Sequence, residues 1–212
     1  MLFRSRAALA ELERVGAEPE VSGVIQHVGL QQARLVDDPE LEPVYRALAE
    51  RGLTLFLHPV QEPPPHGTEQ WFLSNVIASP TATSLAAARL MLSGMLDRVP
   101  DLTLVIPHLG GTLPYLAQRL VDQSGTGDAE HDVLHYLRTR VYLDTCSFHP
   151  PALDCALATV GADRLLLGSD FPFRGPVRRA VEDVESGLGV DDAERVLTGN
   201  IARLRDASHA SR

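Results

Sequence analysis

The sequence contains no lysine, since all 19 basic residues among its 212 are arginine. A Schiff-base enzyme, a P-loop nucleotide hydrolase and a site bridged by a carbamylated lysine are therefore excluded, because each requires a lysine. Two cysteines, Cys146 and Cys155, are too few for a disulfide framework, and no CxxC pair is present to build a structural zinc site. We interpret both as small buried hydrophobic residues.

Long apolar runs and an excess of positive charge are also missing. No stretch approaches the ~20 apolar residues that a membrane-spanning helix needs. Charged residues interrupt the N-terminal segment 1–15 too often for a signal peptide. The formal net charge of −9 argues against a surface that binds phosphates, because nucleic-acid affinity depends on clustered Lys and Arg. We predict a cytoplasmic protein with no membrane partner and no nucleic-acid partner.

Five short apolar segments predict buried strands. Their nearly continuous apolar character is typical of parallel strands that are covered on both faces. The segments are residues 21–29, 53–59, 102–109, 141–146 and 164–169.

Helical patterns lie between these segments, which predicts an α/β protein built from repeated βαβ units. An open doubly wound sheet is the alternative, but no Gly-rich phosphate fingerprint follows the first strand. Five strands do not close an eight-stranded barrel. We therefore predict one (β/α)-barrel domain, a TIM-barrel-like fold over residues 1–212, that lacks its N-terminal strands. The predicted helices are residues 5–15, 39–51, 82–98, 150–160 and 190–197.

His58, His108 and Asp170 each stand at the end of a predicted strand. The carboxyl ends of barrel strands carry the chemistry in this type of fold. Two imidazoles and one carboxylate from separate strands suit a borderline divalent ion such as zinc, with an open position for water or substrate. The structural alternative for either histidine is a core residue bonded to a backbone carbonyl, whereas an unpaired buried Asp170 would be costly.

Other polar residues have weaker patterns. Asp144 could support the site as an acceptor or simply cap its strand, and both readings stay open. His131 and His135 are four residues apart, and we interpret them as a shared, solvated helix face. The remaining histidines are interpreted as polar loop or packing residues: His27, His66, His149 and His209.

The segment 68–120, together with LFLHP, RLLLGSDFPF and TGNIARL, resembles the amidohydrolase-related family typified by aminocarboxymuconate-semialdehyde decarboxylase. The resemblance covers nearly the whole chain, with several motifs in the correct order. It implies a (β/α)₈ barrel that holds one divalent metal, usually zinc, and decarboxylates or hydrolyses small carboxylated or cyclic compounds.

The resemblance also assigns roles to single residues. His58 of the HP strand end and Asp170 of the GSDxPF motif are implied as metal ligands. His108 of the HxGG motif is implied as the catalytic acid or base. In the family homodimer, the arginine that matches Arg119 reaches the partner's active site. The positions that line the substrate pocket are matched by Trp71 and Phe173.

One family feature is missing, because no HxH motif, or variant with Glu, precedes residue 21. Only two of the usual four protein ligands are therefore visible. Either the N-terminal strands have been lost from this sequence, or a short relative no longer uses the metal. The leading hypothesis is a metal-dependent decarboxylase or hydrolase that acts on a small molecule. The alternatives are a metal-free binding or scaffold protein and a metal-independent lyase that uses His58 and His108.

Overall fold

A computed structural model describes residues 5–16, 18, 20–31, 35–60 and 63–210 of the chain. Within these ranges, five parallel strands form one sheet in the order β1-β2-β3-β4-β5. Every strand lies inside a segment predicted from the sequence, so the strand assignments are confirmed. The strands are β1 Gly23–Val28, β2 Thr54–Pro59, β3 Leu104–Ile106, β4 Val141–Asp144 and β5 Leu165–Leu166.

Helices connect the strands and cover one face of the sheet, except α10 (Asn200–Ala210), which packs on the other face. No helix in the described ranges is long and apolar enough to cross a membrane. The α-helices are α1 Ser5–Val15, α2 Glu42–Glu50, α3 Ser79–Leu92, α4 Met95–Arg98, α5 Leu113–Gln123, α6 Val133–Thr139, α7 Pro150–Val160, α8 Val177–Gly187, α9 Val190–Glu194 and α10 Asn200–Ala210.

Two details of the helix prediction are wrong. The predicted helix 82–98 is divided into α3 and α4, because Gly94 adopts a left-handed conformation with φ 68°. The predicted helix face shared by His131 and His135 does not form. Asp132 caps α6 by accepting a hydrogen bond from the His135 amide at 2.8 Å, so His131 precedes the helix. The side chain of His209 lies outside the described part of the chain.

The alternation of side chains along the strands gives the sheet two different faces. Leu57, Ile106 and Leu143 point to the helices and belong to the main hydrophobic core. On the other face, which we call the inner face, a smaller apolar cluster contains Val105, Tyr142 and Leu166. Phe56 of β2 and Leu204 of α10 pack against this inner cluster.

A buried tyrosine joins α2 to the sheet. Tyr45 is 1% exposed, and its hydroxyl shares its single proton between the Val36 carbonyl oxygen at 2.7 Å and Gln26 Oε1 at 2.9 Å. Gln26 is itself buried in β1. The hydroxyl therefore satisfies acceptors that water does not reach.

We expect Tyr45→Phe to lower the free energy of unfolding by about 1–2 kcal/mol, because the Val36 and Gln26 acceptors lose their donor. Chemical denaturation measures this loss. Tyr115→Phe is the matched control, because Tyr115 is 82% exposed on α5. Equal effects of the two substitutions would contradict the assignment.

Candidate active site

A cavity of about 730 Å³ lies on the inner face of the sheet. It extends from Ser22 and Thr54, at the amino ends of β1 and β2, to the carboxyl ends of the strands. His58, His108 and Asp170 all belong to its lining. The structure therefore brings together the three residues that the strand-end pattern singled out.

His58 faces the cavity because it follows Phe56 by two residues along β2 and therefore lies on the same face of the sheet. Burial lowers the pKa of His58, and the neighbouring His108 and His27 lower it further. The Pro59 backbone and Asp170 oppose this shift. The imidazole is thus biased towards its neutral form, which is the form that coordinates metal ions.

His27 is a neighbour of His58 that the sequence analysis had placed among loop or packing residues. The two residues are register partners between β1 and β2, and their ring centroids are 6.1 Å apart. The signal was available in the segment VIQHV, because alternation from Ile25 puts His27 on the same face two residues later.

His108 lies in a turn of unusual backbone conformation. The four residues from His108 to Gly111 all have positive φ values, of 56°, 56°, 75° and 62°. For a non-glycine residue this left-handed conformation costs about 1–2 kcal/mol of conformational free energy, so the surroundings must hold His108 and Leu109 in place. The buried Nδ1 of His108 has no hydrogen-bond partner in the described part of the chain.

Side chains on two sides hold this turn. The Leu109 amide donates to Asp144 Oδ1 at 3.3 Å. On the other side, the Thr112 amide donates to Ser84 Oγ at 2.8 Å, and the Ser84 hydroxyl lies 3.3 Å from the Gly110 carbonyl oxygen. Ser84 is buried in α3. This anchoring role was not predicted, because no local pattern links α3 to the turn.

Asp170 also has a left-handed backbone, with φ 49°. The segment before it runs unusually close to the end of β4. A Cβ atom at Gly168 would lie 2.5 Å from Cys146 Sγ and 2.9 Å from the Asp144 Cβ. Glycine at this position therefore permits the close approach that leads the chain to Asp170 at the cavity wall.

Buried Asp144 and half-buried Cys146 form a polar pair beside His108. Asp144 is 8% exposed, and its Oδ1 accepts a hydrogen bond from the Cys146 amide at 3.0 Å. Burial raises the pKa of Asp144, whereas the Cys146 amide and then His108 oppose this. Burial, followed by the charge of Asp144, raises the pKa of the Cys146 thiol. The thiol stays protonated at neutral pH, which makes it a poor nucleophile.

Three residues that the family resemblance had marked lie outside the cavity lining. Trp71 is 82% exposed and Phe173 is 76% exposed, while Arg119 is exposed on α5. Their roles stay predictions. The cavity does contain an arginine that the sequence analysis missed, Arg205 of α10. Arg205 directly follows the TGNIARL motif and is not part of it, and only the packing of α10 on the inner face locates it.

The cavity offers donor groups that suit a divalent metal. His58 and Asp170 present an imidazole and a carboxylate, and the buried Nδ1 of His108 lacks a partner in the described part of the chain. The ligand atoms of these three residues do not all lie within 4.8 Å of one another. The donor set thus fits a metal in chemical type, while its spacing is wider than a closed coordination sphere.

A family model described as amidohydrolase matches residues 4–204. The chain belongs to the amidohydrolase family. This confirms the resemblance stated from the motifs and the prediction of a TIM-barrel-type α/β fold with a low number of strands.

Relatives of known activity share most of this chain. It is 28% identical over 219 residues to gamma-resorcylate decarboxylase from Rhizobium sp. (strain MTP-10005), which covers 93% of this chain and 65% of that enzyme. It is 25% identical over 174 residues to 2-amino-3-carboxymuconate-6-semialdehyde decarboxylase from Dictyostelium discoideum, which covers 80% of this chain and 48% of the relative. The chain therefore spans one half to two thirds of the length of these relatives.

A solved structure has the same arrangement of elements. Dihydroxybenzoic acid decarboxylase from Polaromonas sp. JS666, with bound manganese and the inhibitor 2-nitroresorcinol, superposes with a TM-score of 0.85. The two chains are 25% identical, and the match covers 95% of this chain and 66% of the other.

We expect Gly111→Ala to lower the free energy of unfolding by about 3 kcal/mol, because a left-handed alanine is strained and its Cβ would collide with the Pro80 carbonyl oxygen and Ser84 Oγ. Gly67→Ala is the matched control. Gly67 also has a positive φ, of 85°, but nothing lies within 4 Å of its Cβ position, so a loss of about 1 kcal/mol is expected. Similar losses for the two variants in chemical denaturation would show that close packing does not hold this turn.

Proposed function

We propose that this chain carries the catalytic half of a metal-dependent enzyme that decarboxylates a small aromatic carboxylic acid. The observation that supports this most directly is the shared cavity of His58, His108 and Asp170. The names of the relatives favour decarboxylation over hydrolysis, which the motifs alone left open.

The shape and lining of the cavity support a compact aromatic substrate. Phe56, Val105 and Leu166 provide an apolar wall on the inner face, against which a ring can pack. Arg205 contributes a guanidinium group to the same lining, and a guanidinium can bind a carboxylate through two parallel hydrogen bonds.

His58 and Asp170 would hold the divalent metal. The bound metal would polarise oxygen substituents of the substrate and stabilise negative charge that develops on them. We keep zinc as the expected ion, and manganese is the alternative because the solved Polaromonas decarboxylase contains it.

His108 is proposed as the group that moves the proton. It donates a proton to the ring carbon that bears the carboxylate, and the bond between that carbon and the carboxylate then breaks to release carbon dioxide. The electron pair of the broken bond restores the aromatic ring.

We expect the two proposed roles to separate in point variants. His58→Ala and Asp170→Ala should weaken the binding of Zn²⁺ and Mn²⁺ by at least about tenfold, because each removes a ligand. His108→Ala should bind metal within about threefold of the wild type and lose at least about 100-fold in the rate of decarboxylation. Elemental analysis, calorimetric titration with each ion and carbon dioxide release from a panel of dihydroxybenzoates measure these effects.

His149→Ala is the control, because His149 is exposed and lies outside this cavity. Full turnover in His108→Ala would overturn the proposed proton transfer. Turnover that survives complete chelation would instead support the metal-independent lyase that uses His58 and His108. If the wild type shows no metal binding and no turnover, the alternative of a metal-free binding protein is supported.

We also propose that the chain forms a homodimer. Trp71, Phe72, Val76 and Ile77 are all more than half exposed, so segment 71–77 presents apolar side chains to solvent. Tyr115 is likewise 82% exposed on α5, and Arg119 follows it by four residues on the same helix face. A dimer surface that includes Tyr115 would bring Arg119 to the partner, in accord with its predicted role.

We expect Trp71→Glu to shift the chain from dimer to monomer in sedimentation velocity, because a charge would be buried in an apolar interface. Val190→Glu is the control, since Val190 is 85% exposed at the start of α9. A wild-type protein that is monomeric at all concentrations would refute the dimer.

A further inference from the structure

Asp144 stands at the end of β4, between the turn that carries His108 and the segment that leads to Asp170. Its Oδ1 accepts hydrogen bonds from two backbone amides, those of Leu109 and Cys146. The first of these bonds links it directly to the residue after His108. The proposed reaction, as described so far, gives this buried carboxylate no task.

The aim of the His108 ring depends on its backbone. A catalytic histidine is commonly oriented by a hydrogen bond to the ring nitrogen that does not react. In the described part of the chain, the buried Nδ1 of His108 has no such partner. The conformation of the His108–Gly111 turn must therefore set the direction of the ring.

Asp144 stabilises the conformation of the His108–Gly111 turn. Leu109 is 3% exposed and has φ 56°, so its amide is buried in a conformation that a non-glycine residue disfavours. Without the carboxylate, this amide would be left without an acceptor, which costs about 1–3 kcal/mol. Loss of this hydrogen bond would destabilise a turn whose backbone is already strained.

The surroundings of Asp144 require an acceptor. The Leu109 and Cys146 amides both donate to it, and the Cys146 thiol also forms a hydrogen bond with its side chain. An asparagine keeps one oxygen that can accept from both amides, but its NH₂ group replaces the second carboxylate oxygen. Only a carboxylate offers an acceptor at both positions.

We propose that Asp144 is a positioning residue for His108, which holds the Leu109 amide and thereby aims the imidazole at the substrate. This inference rests on the proposed function, because it assumes that His108 transfers the proton. Asp144 itself touches neither the substrate nor the reacting carbon in this assignment.

The test compares Asp144→Ala and Asp144→Asn in the full chain. Amide hydrogen exchange, measured by NMR without substrate, should show the Leu109 amide exchanging at least about tenfold faster in Asp144→Ala. Steady-state kinetics should show kcat reduced at least about tenfold in the same variant, with KM changed less than about twofold, because binding is left intact while the proton donor is misaimed. Asp144→Asn should lie between Asp144→Ala and the wild type in both measurements.

Asp132→Ala is the matched control. Asp132 also accepts a backbone hydrogen bond, from the His135 amide, but it lies at the exposed start of α6, outside the cavity. It should speed exchange at His135 and leave kcat unchanged.

The positioning role of Asp144 is overturned by unchanged exchange at the Leu109 amide in Asp144→Ala, or by a kcat within twofold of the wild type. An effect that appears mainly as a higher KM would also overturn it, because that would indicate a role in substrate binding.

If the wild type turns over no carboxylate, the proposed function fails, and the rate at which diethyl pyrocarbonate modifies His108 replaces kcat as the measurement. In that case an unchanged modification rate in Asp144→Ala overturns the positioning role, and a change of threefold or more supports it. If Asp144→Ala fails to fold, Asp144→Asn provides the same measurements.

Discussion

Burial of the outer face of the sheet determines which side chains reach the cavity. Leu55 and Leu57 of β2 are fully buried against the helices, so the residues that alternate with them, Phe56 and His58, must face the other side. A slip of one residue in the register would place the leucines in the cavity and the histidine in the core. The chemistry of the site therefore depends on packing that lies on the opposite side of the sheet.

The ends of the strands use that rigid platform to hold strained backbone. Both His108 and Asp170 have positive φ values, which few non-glycine residues adopt. The Leu109 and Thr112 amides donate hydrogen bonds to buried side chains, which offsets this cost in the His108 turn. The close approach at Gly168 shapes the path to Asp170. Strain of this kind persists only where the surrounding structure over-determines it, and it is frequent at functional sites.

The sequence was sufficient for the sheet and for the three strand-end residues, because a continuous apolar run followed by His or Asp is a local pattern. It did not lead to a prediction of α5, α6, α8 or α10. Of these, α6 has only seven residues, whereas α8 does carry a helical period, since its buried residues Ala180 and Val184 are four positions apart. The roles of Ser84 and Arg205 depend on contacts between elements that are far apart in sequence. No local rule supplies those contacts, and Asp144 stayed ambiguous for the same reason.

The glycines in and around the site differ in how much space they leave for a side chain. Side chains at Gly110, Gly111 or Gly168 would strike neighbouring atoms, so these positions form a fixed frame. Gly67 and Gly175 have open space around them, in loops that follow β2 and β5. Packing therefore leaves room for new side chains in the loops around residues 67 and 175, but not at the frame positions. Within this fold, evolution can therefore introduce side chains at the loop glycines, whereas the frame glycines must stay glycine.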